Sequence, residues 1–227
     1  MSLVLAVIPA RAGSKGVPEK NKRVIAGLSL VQWSIKAVME STLVTDAVIS
    51  TDDPGILECP PGRWGDTFQI LPRPPELATD EASLDAVLIH VVDALKFEGL
   101  VVLLQPTVPL RRPGLVDDCI RAMEYRPGRV QPGSAITVNK LHFVWEHAFE
   151  GFIKQVNLPR VNRQDIKQPF YEEDGSVFVV HSSMLRATGG RVVAPVLPVV
   201  TERTVDIDTE DDMRLAESLL AGVQAGE

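Results

Sequence analysis

Cysteine, positive charge and long apolar runs are all scarce in this chain, and each scarcity removes a class of function. The 227 residues include two cysteines, Cys59 and Cys119. Their separation makes neither a disulfide framework nor a metal knuckle, which points to a reducing, cytoplasmic setting. Basic residues number 23 against 30 acidic ones, a net charge of −7. This argues against a broad nucleic-acid surface, and any anionic ligand must be met by a local cationic pocket. No segment approaches the ~20 apolar residues that a membrane span requires. The N-terminal apolar run stops at Pro9 without a cleavage pattern, so neither export nor membrane insertion is expected. What remains, 45% apolar and 23% charged, is ordinary globular composition. The length suits one α/β domain spanning residues 1–227 with a full core.

The chemically specific stretch is Ile8-Pro9-Ala10-Arg11-Ala12-Gly13-Ser14-Lys15-Gly16, closing at Lys20-Asn21. It follows Leu3-Val4-Leu5-Ala6-Val7-Ile8, which reads as a buried strand. Small residues let backbone N–H groups approach an anion, and cations neutralise it. Three cations, Arg11, Lys15 and Lys20, suit a triphosphate better than a single phosphate. The pattern matches neither G-x-x-x-x-G-K-S/T nor G-x-G-x-x-G.

Strand and helix patterns alternate beyond this loop. Leu30 to Met39 carries a helical apolar stripe, and Asp46 to Thr51 reads as a second buried strand. Pro54 to Asp66 holds several Pro and Gly residues and is expected to be irregular, with at most one helical turn. Phe68 to Leu71 makes a short strand, and Asp80 to Leu95 a helix with Leu84, Val87, Leu88, Val91, Val92 and Leu95 on one side. Leu100 to Leu104 is a buried strand ending in Gln105-Pro106-Thr107-Val108-Pro109-Leu110-Arg111, a loop stiffened by two prolines. A helix is expected over 115–125, strands over 134–138 and 176–180, extended chain over 192–200 and a helix over 209–220. Residues 139–174 are more polar and weakly periodic, and read as an inserted arm. The alternation predicts a mostly parallel sheet with helices on both faces. Ligands in such sheets sit beyond the carboxyl ends of the strands, so the loop at 9–21 and the Gln105 loop are expected to share one crevice.

Thr204-Val205-Asp206-Ile207-Asp208 alternates polar and apolar residues. Extended, it places both carboxylates on one face with Cα atoms roughly 6.5 Å apart. They are candidate ligands for Mg²⁺, which prefers oxygen. The other reading is a half-buried edge strand with its polar face in water. Thr209 and Asp212 make a capping box either way.

These segments together resemble the acylneuraminate cytidylyltransferases (CMP-sialic acid synthetases). The residue 8–21 loop looks like that family's nucleotide loop, and Ser50-Thr51-Asp52-Asp53 like its second-strand ending. Arg73-Pro74-Pro75-Glu76-Leu77-Ala78-Thr79-Asp80 resembles R-P-x-x-L-A-x-D. The Gln105 loop resembles Q-P-T-S-P-L-R with Val108 in place of Ser, and Asp206-Ile207-Asp208 resembles the D-I-D metal motif. The resemblance implies a Rossmann-like three-layer nucleotidyltransferase fold with a small dimerisation arm at about 139–174. It implies a reaction in which CTP and a nonulosonic, sialic-type acid give a CMP-sugar and pyrophosphate with Mg²⁺ as cofactor. Arg11, Lys15 and Lys20 would be the catalytic cations. Ala10, Gly13, Ser14, Asn21, Arg73, Asp80 and Ser83 would complete the nucleotide site, Gln105 and Arg163 would meet the sugar acid, and Asp206 and Asp208 would hold the metal. The partners implied are CTP, the sugar acid and a second copy of the chain, with no nucleic acid and no membrane.

Three departures stand out at the level of sequence, the first being the Pro/Gly segment near Cys59, where the family often builds a helix. Val108 removes a hydroxyl that would touch substrate or backbone, and Glu172-Glu173-Asp174 puts acid groups near the sugar side. No general base is evident; His142 and His147 flank Trp145 and read as packing or interface residues. Trp145, Phe170 and Tyr171 face either a dimer partner or the sugar. A Kdo cytidylyltransferase and a catalytically silent nucleotide- or sugar-binding module are the competing readings.

Overall fold

The computed structural model describes residues 3–14, 16–57, 68–124, 127–142, 144–147, 152–156, 162–167, 169–202 and 204–224, with no account of the side chains at 57, 153, 163 and 222–224. The N-terminal half runs β1 (Val4–Pro9), β2 (Val24–Ile25), β3 (Leu28–Ser29), α1 (Leu30–Met39), β4 (Asp46–Thr51), α2 (Pro54–Leu57), β5 (Phe68–Pro72), α3 (Leu84–Ala94) and β6 (Leu100–Leu104). The remainder is α4 (Leu115–Ala122), β7 (Ser134–Leu141), β8 (Trp145–His147), β9 (Ile153–Gln155), β10 (Phe170–His181), α5 (Ser182–Thr188), β11 (Val196–Val200) and α6 (Glu210–Gln224). Among the described residues no helix is long and apolar enough to cross a membrane.

Seven strands form one sheet in the order β11-β7-β10-β6-β1-β4-β5. β1 pairs in parallel with β4 and β6, β4 with β5, and β11 with β7. Only β10 runs against its neighbours β6 and β7. Alternation along β1 assigns the two faces. Val4, Ala6 and Ile8 join Val31, Ile35, Val116 and Ile120 of α1 and α4. Leu5 and Val7 join Leu88, Val91 and Val92 of α3 and Leu185 of α5. The sheet is therefore covered on both sides, which is why its central strands read as continuous apolar runs. Each fully buried Val, Leu or Ile there contributes about 1.5–3 kcal/mol.

The strand order places the site. From β1 the chain steps outward through β4 and β5, then returns to the opposite side of β1 as β6. The loops after β1 and β6 consequently leave the sheet in opposite directions, and a crevice opens at this switch point.

Element boundaries follow local capping. Ser29 and Gln32 form a reciprocal capping box at α1, which begins and ends where the apolar stripe predicts. α3 begins at Leu84 rather than Asp80, because the Ser83 hydroxyl accepts from the Ala86 N–H at 3.1 Å and fixes the start there. The Thr209–Asp212 box caps α6, with Thr209 N donating to Asp212 Oδ2 at 2.8 Å and Asp212 N to Thr209 Oγ1 at 3.2 Å. α5, seven residues long, has no counterpart in the sequence reading, since two turns are too short to show a period. β7 and β10 extend to Leu141 and back to Phe170, beyond the strand limits expected from sequence, and β8 and β9 pair as a separate antiparallel ribbon. One expected irregular segment, 54–66, opens with the single turn α2; its positions 58–66, Cys59 included, lie outside the described residues.

Candidate active site

The crevice at β1 and β6 is an open cleft of about 420 Å³ lined by Pro9, Arg11, Ser14, Gly16, Lys20, Asn21, Arg73, Leu84, Gln105, Pro106, Thr107 and Asp208. That volume lies within the range of small-molecule sites, ~300–1,000 Å³. The carboxyl ends of β1, β5 and β6 each deliver a part of the wall.

The loop after β1 is fixed before any ligand arrives. Ala10 is fully buried; its N–H donates to Ser50 O at 2.9 Å and its carbonyl accepts from the Thr51 hydroxyl at 2.5 Å. The Ala12 N–H donates to Asp52 Oδ1 at 2.8 Å, and the Asn21 amide donates to Arg11 O at 2.9 Å. Gly13 has a φ of +70°, a conformation in which a side chain is strained. Gly16 lies so close to the Asp208 carbonyl that an added Cβ would sit 2.2 Å from it. Lys15 lies outside the described residues.

Three cations reach the cleft. Lys20 sits in a 3-10 turn and is nearly buried; its Nζ donates to Ile207 O at 2.6 Å and Asp208 Oδ1 at 3.0 Å. Arg11 Nη2 meets Asp80 Oδ1 at 2.5 Å, and its Nη1 meets Ala78 O at 3.5 Å. Arg73, at the end of β5, is 6% exposed. It donates from Nη2 to Ser50 O at 2.7 Å and from Nε to the Ser50 hydroxyl at 3.3 Å. Burial lowers the Arg73 pKa to about 10; Arg11 lowers it further and Asp52 opposes. Its charge is therefore intact at neutral pH while its hydration is largely gone, and a desolvated cation interacts strongly with an incoming anion. Ser83 caps α3, whose first residue, Leu84, also lines the cleft, so the positive end of that helix faces the same space.

The two aspartates arrive by a different route from the one expected. Residues 204–208 form no strand. The Ile207 N–H donates to Thr107 O at 2.8 Å and the Thr204 hydroxyl to Leu110 O at 3.3 Å, so the segment lies along the Gln105 loop. The polar-apolar alternation survives without the strand. Ile207 is fully buried beside Val17, Trp33 and Met213, and the two aspartates face outward. Asp206 retains contact with solvent, yet the protein around it pushes its carboxyl above the ordinary value. The charges of Asp208 and Asp212 add to this, while the Thr107 hydroxyl and Lys20 oppose it. Such a carboxylate gains from a nearby cation. Both groups offer only oxygen, the donor set of a hard cation. Among the described residues no three acidic, His or Cys groups cluster, so waters or ligand oxygens must complete any metal shell.

Gln105 closes the other wall. Its Nε2 donates to Gly175 O at 2.9 Å. Val108 is fully buried and packs toward Gly175, where an added Cβ would meet its Cγ2 at 3.4 Å. A hydroxyl at position 108 would thus face protein, not ligand. Asp174 is buried and spent on Thr137, Thr201 and the Ser176 N–H, so of the three acid groups flagged near the sugar side, Glu172 and Glu173 alone stay exposed. Arg163 lies in a short 3-10 turn outside the cleft's described lining, and its side chain is outside the described set. Among the described residues no histidine lines the cleft; His147 is on β8, and Trp145 and Tyr171 are half exposed. Asp52, Thr107 and Arg111 went without a role at the level of sequence, although all three stand inside the quoted motifs.

A doubly covered α/β sheet whose switch-point cleft combines fixed cations with the exposed Asp208, while Asp206 lies outside the lining, is the architecture of a nucleotidyltransferase. The chain belongs to the cytidylyltransferase family, whose model matches residues 5–150. It is 31% identical to a CMP-N,N'-diacetyllegionaminic acid synthase of Legionella pneumophila, over 96% of both chains. It is 28% identical to an N-acylneuraminate cytidylyltransferase of Streptococcus agalactiae over 92% of its own length, which is 51% of that relative's. Among solved structures, a CMP:2-keto-3-deoxy-manno-octonic acid synthetase complexed with CTP superposes with a TM-score of 0.70 at 17% identity, covering 97% of this chain and 99% of the other. A 4-diphosphocytidyl-2C-methyl-D-erythritol synthase from Anaerococcus prevotii follows with a TM-score of 0.69 at 14% identity, covering 97% and 99%. These two likenesses establish the fold.

Proposed function

We propose that this protein is a Mg²⁺-dependent cytidylyltransferase that joins CTP to a nonulosonic acid of the sialic or legionaminic type, releasing pyrophosphate. The observation that carries it is the meeting of Lys20 with Asp208 at 3.0 Å in a cleft that also holds Arg11, Arg73 and Gln105. Cations and carboxylates drawn from opposite ends of the chain have one shared task there, the handling of a metal-bound triphosphate.

Arg11, Lys20 and Arg73, with Lys15 from the same loop, neutralise the phosphates. Because Arg11, Lys20 and Arg73 are fixed beforehand, they stabilise the charge that grows on the α-phosphorus and on the departing pyrophosphate without reorganising. Ala10, Gly13, Ser14 and Asn21 shape the loop around the phosphates, and Asp80 and Ser83 frame the nucleotide. Asp206 and Asp208 hold Mg²⁺, which when bound supplies further neutralisation of phosphate oxygens. Gln105 and Arg163 receive the sugar acid, the guanidinium gripping the carboxylate at two points. Held in line with the leaving group, the anomeric 2-hydroxyl attacks the α-phosphorus, and placement supplies much of the remaining acceleration.

The chain acts as one domain with residues 139–174 as an arm. The half-exposed Trp145, Phe170 and Tyr171 on that arm support a homodimer, since aromatics are enriched at interface cores. Buried, unpaired Cys119 is compatible with a reducing cytoplasm.

Pyrophosphate release with CTP and Mg²⁺, measured across N-acylneuraminic, N,N'-diacetyllegionaminic, pseudaminic and Kdo acids, tests this reading. Turnover with the nine-carbon acids is expected. Turnover with Kdo alone would move the assignment, and CTP binding without turnover of any acid would make the protein a silent binding module.

A further inference from the structure

Arg111 is a half-buried arginine whose guanidinium has, among the described residues, no carboxylate hydrogen-bonded to it. Its Nη2 donates to Gln105 O at 2.5 Å, its Nε to Ser176 O at 3.1 Å and its Nη1 to the Ser34 hydroxyl at 3.2 Å. Withdrawing a charge from water this way is costly unless the bonds fix something of value. Two of the three acceptors are backbone carbonyls on the Gln105 side of the cleft. One is Gln105 itself. The other lies in an irregularity of β10, whose register against β7 shifts between Glu173 and Phe178. There Gly175 takes a φ of +75° and turns its carbonyl onto Gln105, and buried Asp174 clamps the turn through Thr137, Thr201 and the Ser176 N–H. A carbonyl only accepts, so the Gln105 amide can meet Gly175 only through its nitrogen. Its orientation is then settled, and among the described residues no donor is bonded to Oε1.

We propose that Arg111 is a positioning residue for the acceptor side of the cleft. By tying the Gln105 and Ser176 carbonyls together, it holds the Gln105 amide against Gly175 and leaves the oxygen and the second amide hydrogen for substrate. Gln105 is thereby held in one orientation, its oxygen set to accept from a hydroxyl of the acceptor. This rests on the cytidylyltransferase reading above but concerns the chain's own wiring, so part of the test is independent of turnover.

Arg111→Lys, Arg111→Met and Gly175→Ala are compared with wild type. Gly175→Ala strains the positive φ and places a Cβ 3.1 Å from the Gln105 amide nitrogen, disturbing the same wiring from the other side. Each variant is expected to raise the KM for the sugar acid by about tenfold, the worth of one well-placed hydrogen bond, with the KM for CTP unchanged and Arg111→Lys less affected than Arg111→Met. Amide exchange at Val108 and Val177 is expected to accelerate while that of α3 stays as in wild type, a result readable even if no acid is turned over. Methylating the acceptor hydroxyls one at a time is expected to cost wild type its activity at one position and to cost Gln105→Ala nothing there. Equal rises in both KM values, unchanged exchange at Val108 and Val177, or no position where methylation separates wild type from Gln105→Ala would overturn the proposal. If Arg111→Met does not fold, Arg111→Lys and Gly175→Ala carry the same comparison.

Discussion

Lys20 and Asp208, 188 positions apart, are joined by a 3.0 Å ion pair. The Lys20 side chain is only 11% exposed and its ammonium also rests on the Ile207 carbonyl, whereas the Asp208 side chain is 77% exposed. The lysine is thus the fixed member and the aspartate the accessible one. Asp208→Ala is expected to abolish metal-dependent turnover while the melting temperature stays close to wild type, because an exposed carboxylate contributes little to the fold. Lys20→Met is expected to lower kcat by about 10²–10³-fold, the scale for removing one preorganised transition-state contact. Steady-state kinetics beside thermal melts check both; activity that survives Asp208→Ala would dismiss the metal assignment.

Gly16→Ala tests the seam between loop and aspartate. The added methyl would lie 2.2 Å from the Asp208 backbone oxygen, so one side must retreat. Because the neighbour is backbone, the retreat moves the phosphate loop away from Asp208. The expected result is an increase in the KM for CTP by at least about tenfold, since a misplacement on the order of 1 Å can cost 10²-fold. Steady-state kinetics with varied CTP read it directly.

The sheet was largely legible in the sequence, and for a physical reason. Strands buried on both faces show as apolar runs, so β4 and β6 begin and end where the runs do. α5 was invisible because seven residues hold too few turns to show a period. In the site, contiguous motifs were legible and their partners were not. The 8–21 loop could be named from its residue types, but nothing in the order of residues says that Asp52 binds the Ala12 N–H or that Arg73 supplies a cleft cation beside Lys20. Those pairings are made by strand order. Asp206 and Asp208 illustrate the mixed case: alternation correctly placed both carboxylates outward and Ile207 inward, although the segment is held by the Gln105 loop and not by a sheet.

Asp117 is expected to contribute to acid stability. Burial pushes its carboxyl up, but the hydrogen bonds from the Ser41 and Thr42 hydroxyls and the Thr42 N–H, with the charge of Arg121, outweigh this and hold it below the ordinary value of 3.8. A depressed carboxylate contributes its stability in full above the unfolded value and loses it as the pH falls through the lower folded one. The loss is therefore expected to begin near pH 3.8 and to continue below it. Asp117→Ala leaves the two hydroxyls and the N–H without their charged acceptor and is expected to cost about 3 kcal/mol at neutral pH. Urea melts at pH 7 and pH 3 should differ less in the variant than in wild type; an undiminished difference would assign the acid sensitivity to other groups.

The Arg11–Asp80 pair separates a binding role from a stabilising one. Both side chains are 30% exposed and meet at 2.5 Å, a setting in which an ion pair contributes roughly 0–1 kcal/mol to stability. Arg11 nevertheless lines the cleft, and Asp80 with the Ala78 carbonyl is what aims it. Losing the aim should therefore harm nucleotide binding far more than folding. In Asp80→Asn the amide oxygen still accepts a hydrogen bond but the charge is gone, so Arg11 samples more orientations and the KM for CTP is expected to rise severalfold, with the melting temperature nearly unchanged. Asp80→Ala should raise it further. Because the pair is partly exposed, added salt should shrink the difference between wild type and Asp80→Asn. CTP titrations at low and high salt, paired with melts, distinguish the outcomes: a lowered melting temperature with an unaltered KM would make Asp80 a structural residue, and the nucleotide would then be oriented by Arg73 and Lys20 alone.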